Sequence, residues 1–447
     1  MGDLAGQRVL VVGMARSGAA AARLALRKGA SVTTTDARAD APTVEGCVAV
    51  HGLHRREDFL AADLIVVSPG VPAGAPDLVA ARQAGVPMMG ELAFAASFLK
   101  APMAAVSGTN GKSSTTWFMG QLCRAAGRAV FVGGNLGTPL SEGVEAEVDL
   151  AVVEVSSYQM ELPGHFHPRA AAILNLTPDH LGRHGDMAGY AEAKGRLFTA
   201  MNADDYAVVP SGDPYLSPLI DRTAARALWL DGDPGLRIQD GTAWLSGTPD
   251  DGPVSLSGLR LLGPHNRVNA SVAALLAVCM GLRREELDLG ALSSLAHRLQ
   301  PVAEGAGVRW VNDSKATNVD AAVVGVLGVG GTQIVLLGGL GKEGADYRAL
   351  RPALSQHARQ ILCFGRDGPE MAEALTGLPV ETVATMADAV SRAGALARPG
   401  EIVLLSPAAA SFDEFRDFEH RGDVFAALAR AAAGAAEAAR AGREEAL

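Results

Sequence analysis

The stretch S-G-T-N-G-K-S-S (107–114) sets two glycines around a turn and follows them with a lysine and two serines. A glycine turn between a strand and a helix leaves backbone N–H groups exposed, and the helix dipole adds positive potential there. Together they make a phosphate cradle. The loop is shorter than the common G-x-x-x-x-G-K-S/T pattern: only Thr109 and Asn110 separate Gly108 from Gly111, and Val106 stands where the earlier glycine would be. Lys112 is placed to reach terminal phosphate oxygens, and Ser113 to set a hydroxyl on Mg2+. The bland alternative is a glycine-rich turn with a surface lysine. The strand-like run before it and the helical run after it favour phosphate.

A bound nucleotide needs a carboxylate for its metal. Glu154 closes the apolar run L-A-V-V-E (150–154), and the carboxyl ends of parallel strands are where such sheets bind ligands. A buried, salt-bridged glutamate is the alternative. N-L-T-P-D-H (175–180) is another strand end and presents His180, which fits a loop cap as well as a ligand. Lys194, in Y-A-E-A-K-G-R-L-F, reads on its own as a solvated lysine on a polar-faced helix.

The elements that must position these groups are alternating strands and helices. V-L-V-V-G-M-A-R-S-G (9–18), an alanine-rich helix and A-S-V-T-T-T-D (30–36) predict a Rossmann-like unit, with Ala15 where the second glycine belongs. L-I-V-V (64–67) adds a strand, and residues 91–99 a helix. Strands at 104–107, 150–157 and 171–177 build a central parallel sheet, and 228–262 reads as short strands and turns before a helix over 266–281. Strands at 307–313, 333–339, 360–365 and 401–407 predict a third α/β block.

Bulk properties narrow the class. The 447 residues are 48% hydrophobic and 20% charged, which suits a well-buried multidomain protein. Lys and Arg total 39 against 49 acids, a net charge of −10, and this argues against a nucleic-acid partner. Cys47, Cys123, Cys279 and Cys363 match no zinc or disulfide spacing, as expected of buried thiols in a reducing compartment. No apolar run reaches the length of a membrane span. A cytoplasmic protein follows, and nothing demands more than a monomer. His165 and His167 read as a surface turn without a metal, and His51 and His54 as solvated.

Taken in order, S-G-T-N-G-K-S-S, G-G-N-L-G (133–137), E-V-S-S-Y-Q (154–159), N-L-T-P-D-H, G-P-H-N-R-V-N-A (263–270), D-S-K-A-T-N (313–318) and S-P-A-A-A-S-F-D-E-F-R-D-F-E-H-R-G (406–422) resemble the Mur ligases along the whole chain. The likeness is greatest to the branch that adds D-glutamate to UDP-N-acetylmuramoyl-L-alanine using ATP. It implies an α/β protein of three domains: a Rossmann-like uridine-nucleotide domain (1–94), a central P-loop ATPase-like parallel sheet (95–294) and a Rossmann-like amino-acid domain (295–447). It implies that Gly108, Thr109, Asn110, Gly111, Lys112, Ser113 and Ser114 hold ATP phosphates. Asn266, Asn269, His297, Arg298, Asp313 and Lys315 complete the nucleotide site.

By the same resemblance, Ser113, Glu154, His180 and Lys194 hold two Mg2+ ions, with Lys194 carbamylated, and Lys112, Glu154, His180 and Lys194 form the catalytic set. Asn135 touches the muramoyl substrate. Arg16, Ser17, Asp36, Arg38 and Gly70 bind its uridine nucleotide, and Thr317, Lys342, Ser411 and Phe418 bind D-glutamate. Three departures stand out: Ala15, Leu340 where an aspartate is common, and Gln300 where a glutamate is common.

The implied chemistry is transfer of the ATP γ-phosphoryl group to a carboxylate, then attack by an amine, inside a site that domain closure shields from water. A sister ligase taking another amino acid, a non-catalytic P-loop switch, and a nicotinamide-dependent oxidoreductase suggested by the first glycine turn are the competing readings.

Overall fold

The computed structural model describes residues 3–341 and 344–444. Among these residues the strands form three sheets. The first contains β1 (Arg8–Val12), β2 (Ser31–Asp36), β3 (Val48–His51), β4 (Leu64–Val67) and β5 (Met88–Gly90) in the order β3-β2-β1-β4-β5, all parallel.

The second contains β6 (Met103–Ser107), β7 (Val130–Gly134), β8 (Leu150–Glu154), β9 (Ala170–Ile173), β10 (Tyr206–Pro210), β11 (Arg226–Leu230), β12 (Gly235–Gln239), β13 (Thr242–Ser246) and β14 (Gly252–Ser255). Its order is β14-β13-β12-β11-β10-β9-β6-β8-β7, parallel except for the β12-β13-β14 meander. The runs M-A-A-V-S and L-A-V-V-E are wholly buried, as continuous apolar strands covered on both faces should be.

The third sheet contains β15 (Gln300–Gly305), β16 (Val308–Asn312), β17 (Gln333–Gly338), β18 (Ala358–Phe364), β19 (Val380–Thr382) and β20 (Ile402–Leu405) in the order β15-β16-β20-β17-β18-β19. Only β15 is antiparallel. The sequence pattern did not predict β15. Its hairpin rests on Ala306 and Gly307, at φ 50° and 75°, the left-handed pair that a two-residue turn between twisted strands demands.

The chain packs as two compact units, residues 1–259 with 268–292, and residues 260–267 with 293–447. In the first unit one hydrophobic cluster runs through both sheets, from Val9, Val11 and Val66 through Leu92 and Phe94 to Ala105, Val153 and Ile173. In the second, Val335, Leu337, Ile361 and Leu404 pack on one face of the sheet, and Trp310, Leu336, Phe364 and Phe425 on the other. Among the described residues no helix is long and apolar enough to cross a membrane. The four cysteines are free thiols, and burial pushes those of Cys123 and Cys363 up to about 12.

Candidate active site

The glycine loop joins β6 to the helix Lys112–Ala125. Gly111 caps that helix at φ 84°, and a Cβ there would lie 2.6 Å from Asn269 Oδ1. Both the backbone angle and the close approach require glycine. Two residues beyond β9 brace the loop from outside: the Asn110 amide donates to Asn175 Oδ1 at 2.9 Å, and the Thr109 hydroxyl to the Thr177 carbonyl at 3.2 Å. Lys112 Nζ folds back onto the Gly108 and Thr109 carbonyls at 2.9 and 2.7 Å. Ser113 and Ser114 are buried in the first helical turn.

Glu154 pairs in register with Val106, so the sheet sets its carboxylate beside the root of the loop. Its side chain is buried. Oε1 accepts a 2.6 Å hydrogen bond from the Asn135 amide, while Oε2 has no partner among the described residues. An orphaned buried carboxylate oxygen beside a phosphate cradle fits a cation. Among the described residues no group of three His, Cys, Asp or Glu forms a ready-made cage. Magnesium does not need one, because phosphate and water complete its shell.

Lys194 is not the solvated lysine its helix suggested: it is 1% exposed. Its Nζ donates to the Gly108 carbonyl at 2.8 Å and lies 4.7 Å from the Tyr190 ring centre. Burial, and then the nearby charge of Lys112, push it down to about 7, so a large neutral fraction exists near neutral pH. His180 sits at φ 54° at the start of the short helix Leu181–His184 and is half exposed. Its Nδ1 lies 3.0 Å from the Tyr158 hydroxyl, and its ring packs edge-on to Tyr190. Lys112 and Lys194 therefore converge on one carbonyl, with Tyr190 linking Lys194 to His180.

Next to this cluster lies a cavity of about 440 Å³ lined by Arg16, Ser17, Asp36, Arg38, Gly70, Asn135 and Gly137, among others. Asp36 closes β2. Burial raises its pKa, but hydrogen bonds from Arg38 and from the Met14 and Arg38 amides outweigh this and hold it at about 2. The degenerate glycine turn has a structural reason. Ala15 is extended, at φ −73°, and needs no glycine, whereas a Cβ on Gly18 would lie 1.8 Å from the Gly13 carbonyl oxygen. Arg16 Nη2 reaches the Gly137 carbonyl at 2.8 Å and ties this turn to the loop that carries Asn135. His51 and His54 are not simply solvated: they are half-buried, at 3.3 and 2.8 Å from the Thr34 and Thr35 hydroxyls of β2. His167 meets Asp205 at 2.7 Å and holds a turn.

The second unit groups the remaining candidates. Asp313 follows β16 and is buried. Its Oδ2 accepts from the Ser406 hydroxyl at 2.9 Å, and burial pushes its pKa up to about 7. His297, at φ 62°, has Nδ1 3.1 Å from Asn312 Nδ2, and its amide donates to Gln300 Oε1 at 3.0 Å. Gln300 thus fills its position as a backbone cap, a task that needs an oxygen and not a charge. Leu340 exchanges paired backbone hydrogen bonds of 2.9 Å with Ala410, so its place depends on the main chain. Lys315 Nζ lies 3.8 Å above the Phe418 ring. Ser411 is buried and Thr317 half-buried. Lys342 lies outside the described residues.

Sequence reasoning missed Tyr158, Asn175 and Arg421. Tyr158 and Asn175 stand inside family motifs, and Arg421 inside E-H-R-G, but arginine ordinarily reads as surface. Arg421 is 0% exposed.

Comparison with known proteins gives consistent matches. A family model described as the Mur ligase MurD-like N-terminal domain matches residues 7–90, the Mur ligase middle domain 106–277, and the Mur ligase glutamate ligase domain 297–409. The UDP-N-acetylmuramoylalanine–D-glutamate ligase of Anaeromyxobacter dehalogenans is 44% identical, with 96% of this chain and 98% of that protein aligned. That of Myxococcus xanthus is 41% identical over 96% and 99%. Among solved structures, the Thermotoga maritima MurF ligase in complex with ADP shares the fold at TM-score 0.59 and 17% identity, covering 96% of this chain and 98% of that one. The UDP-N-acetylmuramate-alanine ligase MurC of the same organism does so at TM-score 0.55 and 16% identity, covering 94% and 98%.

Proposed function

This chain belongs to the Mur ligase family, and we propose on that premise that it joins D-glutamate to UDP-N-acetylmuramoyl-L-alanine in peptidoglycan synthesis, consuming ATP through an acyl phosphate. The observation that carries the reading is Glu154, with one oxygen fixed by Asn135 and the other buried, and without a partner among the described residues, beside the glycine loop.

A carboxylate does not accept an amine directly, because oxide is a poor leaving group. Transfer of the γ-phosphoryl group to the alanyl carboxylate gives a mixed anhydride and ADP. The D-glutamate amine then attacks the carbonyl carbon, a tetrahedral intermediate expels phosphate, and the nitrogen loses its proton as the amide forms. Gly108, Thr109, Asn110 and Gly111 present backbone donors to the triphosphate, and Lys112 turns from the loop carbonyls to its terminal oxygens. Ser113, Glu154, His180 and Lys194 would hold magnesium, two ions in this proposal, which supplies charge neutralisation at the transferring phosphoryl group. The depressed basicity of Lys194 supports its carbamylation: a neutral amine adds to carbon dioxide, releases a proton and becomes an anionic ligand.

The other assignments belong to the same proposal. Ser114, Asn266, Asn269, His297, Arg298, Asp313 and Lys315 serve the nucleotide. Arg16, Ser17, Asp36, Arg38, Gly70 and Asn135 serve the uridine-linked substrate. Thr317, Lys342, Ser411 and Phe418 serve D-glutamate. The division of labour runs 1–94, 95–294 and 295–447. The enzyme is placed in the cytoplasm as a monomer acting on small molecules. The nicotinamide alternative rests on the first glycine turn, which lines the cavity assigned to the uridine nucleotide, and it leaves the 107–114 loop without a role.

The test is phosphate release from ATP with UDP-N-acetylmuramoyl-L-alanine and a panel of amino acids. Release with D-glutamate, and not with L-glutamate, L-alanine or diaminopimelate, is expected. Equal release with another amino acid would move the enzyme to a sister activity.

A further inference from the structure

Arg421 is fully buried in the second unit, and its guanidinium binds segments far apart in sequence. Nε donates to Ser314 Oγ at 2.9 Å and Nη2 to the Ser314 carbonyl at 2.9 Å. Nη1 donates to the Ala409 carbonyl at 3.0 Å and, more weakly, to the Gly338 carbonyl at 3.4 Å. Ser314 Oγ in turn donates to the Phe418 carbonyl at 2.8 Å, closing the network on Arg421's own helix. Gly339 presses on the group so closely that a Cβ there would lie 3.1 Å from Nη1.

These acceptors are carbonyl and hydroxyl oxygens. Asp413 and Glu414 are the acids whose field Arg421 feels. Burying a cation costs several kcal/mol unless its donors are satisfied, and a fold needing only packing at this position would do as well with an apolar side chain. What an apolar side chain cannot do is fix several loops in one plane, which the guanidinium fork does.

The segments it fixes are informative. Ser314 lies three residues before Thr317, Ala409 two before Ser411, and the accepting carbonyl is that of Phe418, another of the four residues assigned to D-glutamate. We propose that Arg421 is a positioning residue for D-glutamate: its guanidinium locks the Thr317, Ser411 and Phe418 segments into one arrangement. This rests on the reading of those residues as the D-glutamate site.

Steady-state kinetics of Arg421→Lys and Ser314→Ala, with melting curves, test it. Lysine keeps the charge and loses the fork. Arg421→Lys should raise the KM for D-glutamate about tenfold, and Ser314→Ala about threefold, with the KM values for ATP and the UDP-linked substrate within about twofold. Ser314→Ala leaves a buried guanidinium N–H without its hydroxyl acceptor and should melt lower, so kinetics are read below the melting range, where a purely structural loss would not raise the D-glutamate KM selectively. An unchanged D-glutamate KM in both variants overturns the inference, as does a parallel rise in all the KM values. If Arg421→Lys does not fold, Ser314→Ala alone decides. Thr317→Ala and Ser411→Ala separate the two levels. If neither changes the D-glutamate KM, the site assignment fails; if they raise it while the Arg421 and Ser314 variants do not, only the positioning role fails.

Discussion

Asn135 donates its side-chain amide to Glu154 across 2.6 Å and so joins the loop lining the 440 Å³ cavity to the carboxylate beside the glycine loop. One oxygen of Glu154 is thereby aimed, and the other has no partner among the described residues. Supporting groups of this kind tune metal affinity as much as the ligands do. Asn135→Ala should raise the Mg2+ concentration for half-maximal activity, with a loss of about 10- to 100-fold in metal affinity or kcat/KM. Magnesium titration of the variant checks this; an unaltered requirement would remove Asn135 from the pathway.

Gly111 is held at φ 84° with Asn269 Oδ1 at the edge of where a Cβ would sit. Gly111→Ala therefore meets both a left-handed backbone, costing about 1–2 kcal/mol, and a clash. ATP affinity should fall by about tenfold or more, because the amides of the loop lose their aim. Binding of ATP measured calorimetrically reads this out, and wild-type affinity would contradict it.

Lys194 gives a pH signature. Its pKa is about 7 in the folded protein against 10.5 in the unfolded chain. Between these values the unfolded chain binds more protons, so stability rises with pH from about 7 toward 10.5 and is lost as pH falls through 7. In buffer stripped of carbon dioxide, the wild type should gain on Lys194→Met by at most on the order of 1.4 kcal/mol per pH unit across that window. Urea unfolding at several pH values measures the difference. A constant difference would show that the lysine is not buried as described.

Asp313 has the opposite sign. Its pKa is raised from 3.8 to about 7, so the folded state binds more protons between these values. Its contribution is fully present below pH 3.8 and is lost as pH rises through 7. Asp313→Asn should therefore become more stable relative to the wild type as pH climbs through this range. Parallel stability profiles would refute the burial argument.

How much of the fold and site is legible in the sequence depends on whether the physical demand falls on residue type. The glycine loop was legible because Gly111 must adopt a left-handed angle beside Asn269, and Glu154 because a carboxylate ending an apolar run is conspicuous. Lys194 misled, because its burial comes from the packing of Tyr190 and the Gly108 carbonyl, which no helix periodicity reports. Ala15 read as a defect in a glycine pattern, yet its extended backbone never needed glycine. β7 and β15 escaped because both are sheet-edge strands, largely part-exposed, and take their identity from the one neighbour they pair with. Arg421 was invisible for a similar reason: its partners are backbone carbonyls, and these leave no trace in side-chain identity.

The central claim is that the ATP held at Gly108–Ser114 gives its outermost phosphoryl group to the substrate carboxylate. It is tested most directly by labelling that carboxylate with heavy oxygen and analysing the phosphate released in the presence of D-glutamate. The account predicts that one labelled oxygen appears in each phosphate, and that Lys112→Ala releases none. Unlabelled phosphate from an enzyme that still forms the amide would contradict it.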